Sequence, residues 1–336
     1  MGGTAWLSRC TAQTAIRLGH DVTCVARGLS GEPPPGAVFV RADRDQPDAL
    51  DGVASERWDV VVEVARQPGH VRRAANALAA CAERFVFVSS GNVYADHSSA
   101  GQDEAAPLLN PLEGDVMESM DEYGSAKVAC EDHARRAFGP DRVLIARVGL
   151  IGGPGDVFDR TGYWPLRFAR PSSPDGAVLV PDAPELPTQI IDVRDLAAWL
   201  LDAGSRGLAG TFNATGITVA FHEHLEIARE VAGHTGRVVP ADPQWLLAQG
   251  VQEWMGDRSL PLWLADPAWI GFNARDSSRA RQAGLTTRPL KETLAEALAW
   301  ELTRDPTRPR AAGLSDHDER ELLDTLACAE LPATPR

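Results

Sequence analysis

A chain of 336 residues, 44% hydrophobic and 24% charged, has an ordinary globular composition but is long for one hydrophobic core, and suits two closely associated domains. Its net charge of −14 argues against a nucleic-acid partner, because no run of Lys or Arg offers a local basic patch. Five scattered cysteines without CxxC spacing exclude a disulfide framework and suggest reduced thiols in the cytoplasm, and no apolar run approaches the length of a membrane span.

Residues 2–8, Gly-Gly-Thr-Ala-Trp-Leu-Ser, open onto a helical pattern that runs to Leu18 and stops at Gly19. A β-rich run, Val22-Thr23-Cys24-Val25, follows and closes at Arg27. Turn, helix and strand in this order predict a dinucleotide-binding unit with its first strand missing, which would leave two neighbouring strand edges unpaired. Either translation starts upstream or the sheet lacks a central strand. In a G-x-x-G-x-x-G turn the three positions would be Gly2, Ala5 and Ser8, of which only the first is glycine. Ala5 and Ser8 are small enough to let a pyrophosphate approach a helix start, though less freely. Arg27 stands where an NAD site places an acid for the ribose 2′-OH. It favours a 2′-phosphate instead, so NADP(H) is the expected cofactor and NAD(H) the alternative.

The segment 37–43 predicts a third strand ending in Asp43, which either accepts from an adenine amino group or caps the next helix. Residues 58–64 predict a fourth strand, 68–81 an amphipathic helix, and Phe85-Val86-Phe87-Val88 a fifth strand apolar on both faces. Strands alternating with helices imply right-handed crossovers and an open parallel sheet. Ligands bind beyond the carboxyl ends of such strands, so Ser90 is the candidate donor to a substrate oxygen, with Ser89 as the near alternative. Residues 95–119 show no period and predict either a loop over the site mouth or a surface insertion. Then comes Tyr123-Gly124-Ser125-Ala126-Lys127, a phenol and an ammonium four residues apart and hence on one helix face. A lysine charge near a tyrosine favours phenolate and fits the phenol for proton transfer. The chain has three tyrosines and only two lysines, so the pairing is unusual for this composition.

Residues 142–148 predict a sixth strand. Beyond it Asp159-Arg160-Thr161-Gly162-Tyr163-Trp164 mixes charge and aromatic rings as a substrate pocket would, so Arg160, Tyr163 and Trp164 join Asn92 and Gln189 as candidate substrate contacts. Short strands at 178–180 and 188–191, a helix at 192–201 and a strand at 210–213 follow. His222-Glu223-His224 lacks H-E-x-x-H spacing and a third ligand, so it reads as a helix start and no metal site is expected. Trp245, Trp254, Trp263 and Trp269 suit either a substrate wall or a core. A helix at 290–302, a Pro/Arg/Gly linker at 305–314, a polar helix and a loose end complete the chain. The expected domains are 1–150, with 188–213 returning to it; a cap of 151–187 and 214–304; and 305–336 as linker and C-terminal helix.

Taken together, several motifs occur in a specific order. They are Gly2-Gly3-Thr4, Arg27, Asp43, Ser90 four residues before Tyr94, Tyr123 with Lys127, Arg147-Val148-Gly149-Leu150-Ile151-Gly152-Gly153-Pro154-Gly155-Asp156, and Gln189-Ile190-Ile191-Asp192-Val193-Arg194-Asp195. This series, covering most of residues 2–215, resembles the extended short-chain dehydrogenase/reductase family, often labelled NAD-dependent epimerase/dehydratase. The resemblance implies a Rossmann-type doubly wound α/β fold with a smaller C-terminal substrate-binding domain. It implies that Tyr123 is the catalytic acid/base, that Lys127 binds the nicotinamide ribose and lowers the tyrosine pKa, and that Ser90 polarises the reacting carbonyl or alcohol. The cofactor would lie against Gly2, Gly3, Thr4, Ala5, Trp6, Leu7, Arg27, Asp43, Val64, Ala65, Ser89, Lys127 and Val148. Dehydratases of the family carry Asp-Glu just after the active-site Ser/Thr, where this chain has Gly91-Asn92, so reduction, oxidation or epimerisation is left. The expectation is a cytoplasmic NADP(H)-dependent oxidoreductase acting on a small or sugar-like metabolite, with a homodimer implied by the family's usual helix pairing. An NAD-dependent sugar-nucleotide epimerase is the alternative. A non-catalytic dinucleotide-sensing or RNA-binding relative is the rival from another class, but such proteins commonly lose the Tyr/Lys pair.

Overall fold

The computed structural model describes residues 1–330, so the loose end expected at 331–336 lies outside the described residues. The chain forms two compact units. The first is Met1–Ile151 with Gln189–Ile217 and Gly271–Thr287, and the second is Gly152–Thr188 with Thr218–Ile270 and the chain from Arg288 on.

In chain order the main elements are α1 (Trp6–Arg17), β1 (Thr23–Ala26), β2 (Val38–Arg41), β3 (Trp58–Glu63), α2 (Pro68–Leu78), β4 (Ala82–Ser90), α3 (Tyr123–Phe138) and β5 (Val143–Val148). They continue with α4 (Tyr163–Ala169), β6 (Val178–Pro181), α5 (Val193–Ser205), β7 (Gly210–Ala214), α6 (Phe221–Ala232), β8 (Val238–Ala241), α7 (Leu290–Leu302) and α8 (Asp316–Glu330).

The first unit is built on a parallel sheet ordered β3-β4-β5-β7, with Trp58 opposite Ala82, Phe85 opposite Val143 and Leu144 opposite Gly210. Alternation along β4 sends Phe85 and Phe87 to one face, where with Ile145 they pack on Val71, Ala74 and Leu78 of α2 and on Cys130, Ala134 and Phe138 of α3. Val86 and Val88 go to the other face with Leu144 and Ala146, against Leu196, Trp199 and Leu200 of α5. With helices on both faces every residue of β5 is buried, which is why such strands read as continuous apolar runs. Strand β4 starts three residues before its apolar run, because Ala82-Glu83-Arg84 gives no apolar signal yet pairs with β3.

The sheet is interrupted. β1 and β2 pair in parallel as a separate two-stranded sheet, with Thr23 opposite Val38. A cavity of about 730 Å³ is lined by Val22 and residues 23–25 of β1, residues 58–62 on β3, and Thr11, Ala12 and Gly204 from the covering helices. The Met1 amino group donates to the Val62 carbonyl at 2.5 Å, and the Gly2 N–H donates to the Val25 carbonyl at 2.8 Å. Residues 1 and 2 therefore tie the two sub-sheets at their carboxyl ends. Among the described residues no strand lies between β1 and β3, and this break falls where the sequence predicts a missing strand.

In the second unit α4 packs against α6 and α7, and β6 pairs in parallel with β8, Val178 opposite Val238. Of the four clustered tryptophans, Trp263 is buried, Trp245 and Trp254 are half-buried and Trp269 is exposed. Residues 305–314 are not a free tether: Arg308 Nη2 reaches Asp159 at 2.6 Å and Arg310 Nη1 reaches Glu301 at 2.9 Å. Helix α6 begins at Phe221, and His222 and His224, two residues apart, point to different sides. His222 bonds the Pro184 carbonyl at 2.9 Å, whereas His224 is fully buried. Among the described residues, no helix is long and apolar enough to cross a membrane.

Candidate active site

At the start of the first unit Gly2 and Gly3 adopt φ of +102° and +107°, a region other residues rarely enter. A β-carbon on Gly3 would collide with the Cys24 side chain, and one on Gly2 would lie 3.1 Å from Val64 Cγ2. The chain then enters α1 through Ala5, and neither a capping side chain nor an acidic residue occupies the first turn. The backbone N–H groups there carry the positive end of the helix dipole, which suits an anion. Thr4 is buried, Ala5 exposed, and Trp6 and Leu7 half-buried. The Ser8 hydroxyl donates back to the Ala5 carbonyl at 3.0 Å.

Arg27 is exposed just past β1. Arg41, opposite Ala26 at the end of β2 and also exposed, donates from Nη1 to the Arg27 carbonyl at 3.2 Å. Asp43 accepts from the Asp45 N–H at 3.2 Å and so closes a local turn.

At the carboxyl edge of the main sheet, β4 ends on Ser90, whose hydroxyl lies 2.8 Å from Asn92 Oδ1 and accepts from the Asn92 N–H at 3.2 Å. Ser90 stands opposite Val148 in register. Helix α3 starts at Tyr123, after a turn in which Glu122 accepts from the Glu118 N–H at 2.8 Å. Gly124 lets this helix press against the turn that follows β4, since a β-carbon there would run into the Asn92 carbonyl oxygen. The loop before α3 is docked as well, with the Leu112 N–H on the Ser125 carbonyl at 2.9 Å.

Lys127 is 2% exposed. Its Nζ donates to the Ala65 carbonyl at 2.9 Å and the Val88 carbonyl at 2.6 Å, and sits 4.2 Å from the centre of the Phe87 ring. Tyr123, half-buried, is one turn earlier on the same face. The structure thus brings Gly2, Val64, Ala65, Ser90, Lys127 and Val148 to the carboxyl ends of the strands.

Ser89 turns away from that edge. Its hydroxyl donates to Glu131 on α3 at 2.6 Å, within a buried cluster that the sequence reading missed. Glu131 also accepts from Arg147 through Nε at 3.0 Å and Nη2 at 2.9 Å. Burial alone would raise the Glu131 pKa, but the bonds from Arg147 and Ser89 outweigh it and hold the carboxyl below its ordinary value. Arg147 and Arg275 lie over the Tyr94 ring at 4.9 and 4.3 Å, and the Tyr94 hydroxyl donates to Asn213 Oδ1 at 2.6 Å. Two signals could have exposed this cluster: an arginine inside the apolar strand Val-Leu-Ile-Ala-Arg-Val, and an acid four residues after Lys127 on the same helix face.

Gln189 is buried, where its side chain donates to the Arg275 carbonyl at 2.8 Å. Three other candidates belong to the second unit. Arg160 lies over the Phe158 and Trp254 rings at 5.0 and 5.3 Å. Tyr163 and Trp164 are 2% and 0% exposed, their rings in edge contact at 4.9 Å, so they fill that unit's core and present no free face to a ligand.

Solved structures of low sequence identity share this fold. UDP-N-acetylglucosamine 4-epimerase from Bacillus cereus has a TM-score of 0.64 at 16% identity, covering 92% of this chain and 97% of that one. UDP-glucose 4-epimerase from Thermus thermophilus, in complex with NAD, has a TM-score of 0.59 at 15% identity, covering 90% and 98%. The Bordetella bronchiseptica enzyme WbmG, in complex with NAD and UDP, has a TM-score of 0.59 at 16% identity, covering 89% and 92%. No curated protein matches the sequence. The model of the NAD dependent epimerase/dehydratase family matches residues 1–203, a stretch that holds the glycine turn, the Ser90 strand and the helix of Tyr123 and Lys127. On that match over more than half its length, the chain belongs to the NAD dependent epimerase/dehydratase family.

Proposed function

We propose that this enzyme inverts a carbon of a nucleotide-linked sugar by transient oxidation with NAD(H). The observation that carries this reading is the docking of the Tyr123 and Lys127 helix against the Ser90 turn, in a chain of the epimerase/dehydratase family. Epimerisation takes precedence over the carbonyl reduction expected from the sequence, because the structural neighbours include UDP-sugar 4-epimerases, one of them in complex with NAD, and an enzyme in complex with NAD and UDP.

The residues present fit a dinucleotide. Gly2 and Gly3 leave no β-carbon at the turn, and the uncapped start of α1 offers N–H groups to a pyrophosphate. When bound, the nicotinamide supplies the acceptor and donor of a hydride. Tyr123 takes the proton from the sugar hydroxyl and later returns it. Lys127 spends two N–H groups on the Ala65 and Val88 carbonyls and would keep the third for a ribose hydroxyl. Ser90 donates to the reacting oxygen as negative charge develops there. Gly91 and Asn92 offer no acid pair to expel water, so the sugar keeps its hydroxyls.

A second reading, NADP(H)-dependent carbonyl reduction, is favoured by one observation. Arg27 and Arg41 stand exposed at adjacent strand ends, where two guanidinium groups suit a 2′-phosphate. One experiment separates the two. The protein is incubated with NAD+ and UDP-glucose or UDP-N-acetylglucosamine, and in parallel with NADPH and a panel of carbonyl compounds. We expect epimer to form without net change in nicotinamide absorbance, at least about a hundredfold more slowly in Tyr123→Phe. NADPH consumption without epimer would assign the reductase. Equal rates for Tyr123→Phe and the parent on any substrate would end the catalytic assignment.

A further inference from the structure

Helix α3 carries Tyr123, Lys127 and Glu131 at four-residue spacing, one stripe directed at the sheet. Two of the three are pinned. Lys127 grips carbonyls at the ends of β3 and β4, and Glu131 is held by β4 and β5 one turn further along. The Glu131 carboxylate is 0% exposed and fully engaged. Oε1 accepts from the Ser89 hydroxyl and Arg147 Nε, and Oε2 accepts from Arg147 Nη2 and Arg135 Nη2. A carboxylate gripped at both oxygens by a planar fork cannot turn without breaking charge-assisted bonds, so the helix is fixed in rotation as well as in height.

The partners of Glu131 sit immediately beside the reacting edge. Ser89 precedes Ser90 on β4, Arg147 precedes Val148 on β5, and the register sets Ser89 opposite Arg147 and Ser90 opposite Val148. One residue step along two paired strands therefore separates the clamp on the helix from the hydroxyl facing the substrate. A buried ion pair of this kind is a poor source of net stability, since apolar residues of like volume often serve as well. Its directional bonds are what apolar side chains could not supply.

We propose that Glu131, held by Ser89 and Arg147, is a positioning residue that sets where the Tyr123 hydroxyl stands relative to Ser90. The proposal rests on the reading of Tyr123 and Lys127 as the proton-transfer pair. A displacement of about 1 Å at that hydroxyl is enough to cost up to about a hundredfold in rate.

The test compares Ser89→Ala, Glu131→Gln and the double variant with the parent for kcat, KM and melting temperature. Each single variant is expected to lower kcat about tenfold with KM within about twofold. The double variant should be no slower than Glu131→Gln, as for groups acting through one bond. Parent-like kcat in a folded Ser89→Ala would overturn the proposal, as would additive losses, which would mean that Ser89 meets the ligand itself. Should Glu131→Gln fail to fold, Ser89→Ala decides by the same readouts. Failure of the underlying reading shows separately, as Tyr123→Phe matching the parent in turnover.

Discussion

His224 shows how little a residue type reveals until its surroundings are known. In the sequence it is half of a His-Glu-His triplet that reads as a helix start. In the structure it is buried in α6, stacked on Phe221, and neither ring nitrogen has a partner among the described residues. Burial penalises the charged imidazolium and pulls its pKa down to about 4, against about 6.5 in an unfolded chain. The sign follows from linkage. Above pH 6.5 both states hold a neutral imidazole, and stability is full. As pH falls from 6.5 towards 4 the unfolded chain takes up a proton that the folded one refuses, and stability is lost. Between pH 7.5 and 5 this amounts to about 2 kcal/mol. Urea melts at both pH values should show the parent losing about that much more than His224→Leu, a change that sacrifices no hydrogen bond. Equal losses in the two proteins would mean that His224 reaches water in solution. Tyr163 and Trp164 carry the same lesson: an aromatic residue beside a charge looks alike in a pocket and in a core, and only packing separates the two.

At the level of the element, α3 was half legible. The four-residue spacing of Tyr123 and Lys127 is a local pattern, and helical geometry converts it directly into a shared face. The clamp around Glu131 is not local. Its partners Ser89 and Arg147 lie 42 and 16 residues away, and ion pairs between distant elements leave no period to read. Gly124 was equally silent, since its role depends on how closely the helix meets the Asn92 carbonyl. Gly124→Ala should therefore act differently from an ordinary helix substitution, where alanine favours the helix. The new methyl must push α3 off the Ser90 turn, an overpacking cost of about 1–3 kcal/mol. With the phenol displaced, kcat is expected to fall by about ten- to a hundredfold while the cofactor Kd stays within about twofold. Steady-state kinetics beside a thermal melt would check this. A variant as stable and as active as the parent would show that the helix and the turn are not in contact.

Across the whole molecule, the parallel sheet was legible, because strand and helix patterns repeat along residues 22–148. The return of Gly271–Thr287 to the first unit was not legible, since that stretch carries no strand period and is held there by long-range bonds such as Gln189 to Arg275. The interruption has a consequence for dynamics that can be measured. β4 and β5 are paired on both sides and covered on both faces, so exchange of their amides requires a large opening. Among the described residues β1 and β3 each pair on one side only, and along the cavity their other edges are bonded by Met1 and Gly2. Hydrogen exchange followed residue by residue should therefore find cavity-facing amides within 22–25 and 58–62 exchanging at least about tenfold faster than those of 85–88 and 143–147. Gly2 should be slower than its place in the chain suggests, because its N–H is bonded to Val25. Uniform protection across β1, β3, β4 and β5 would count decisively against an open slot, since a strand edge facing a cavity cannot match the protection of one paired on both sides.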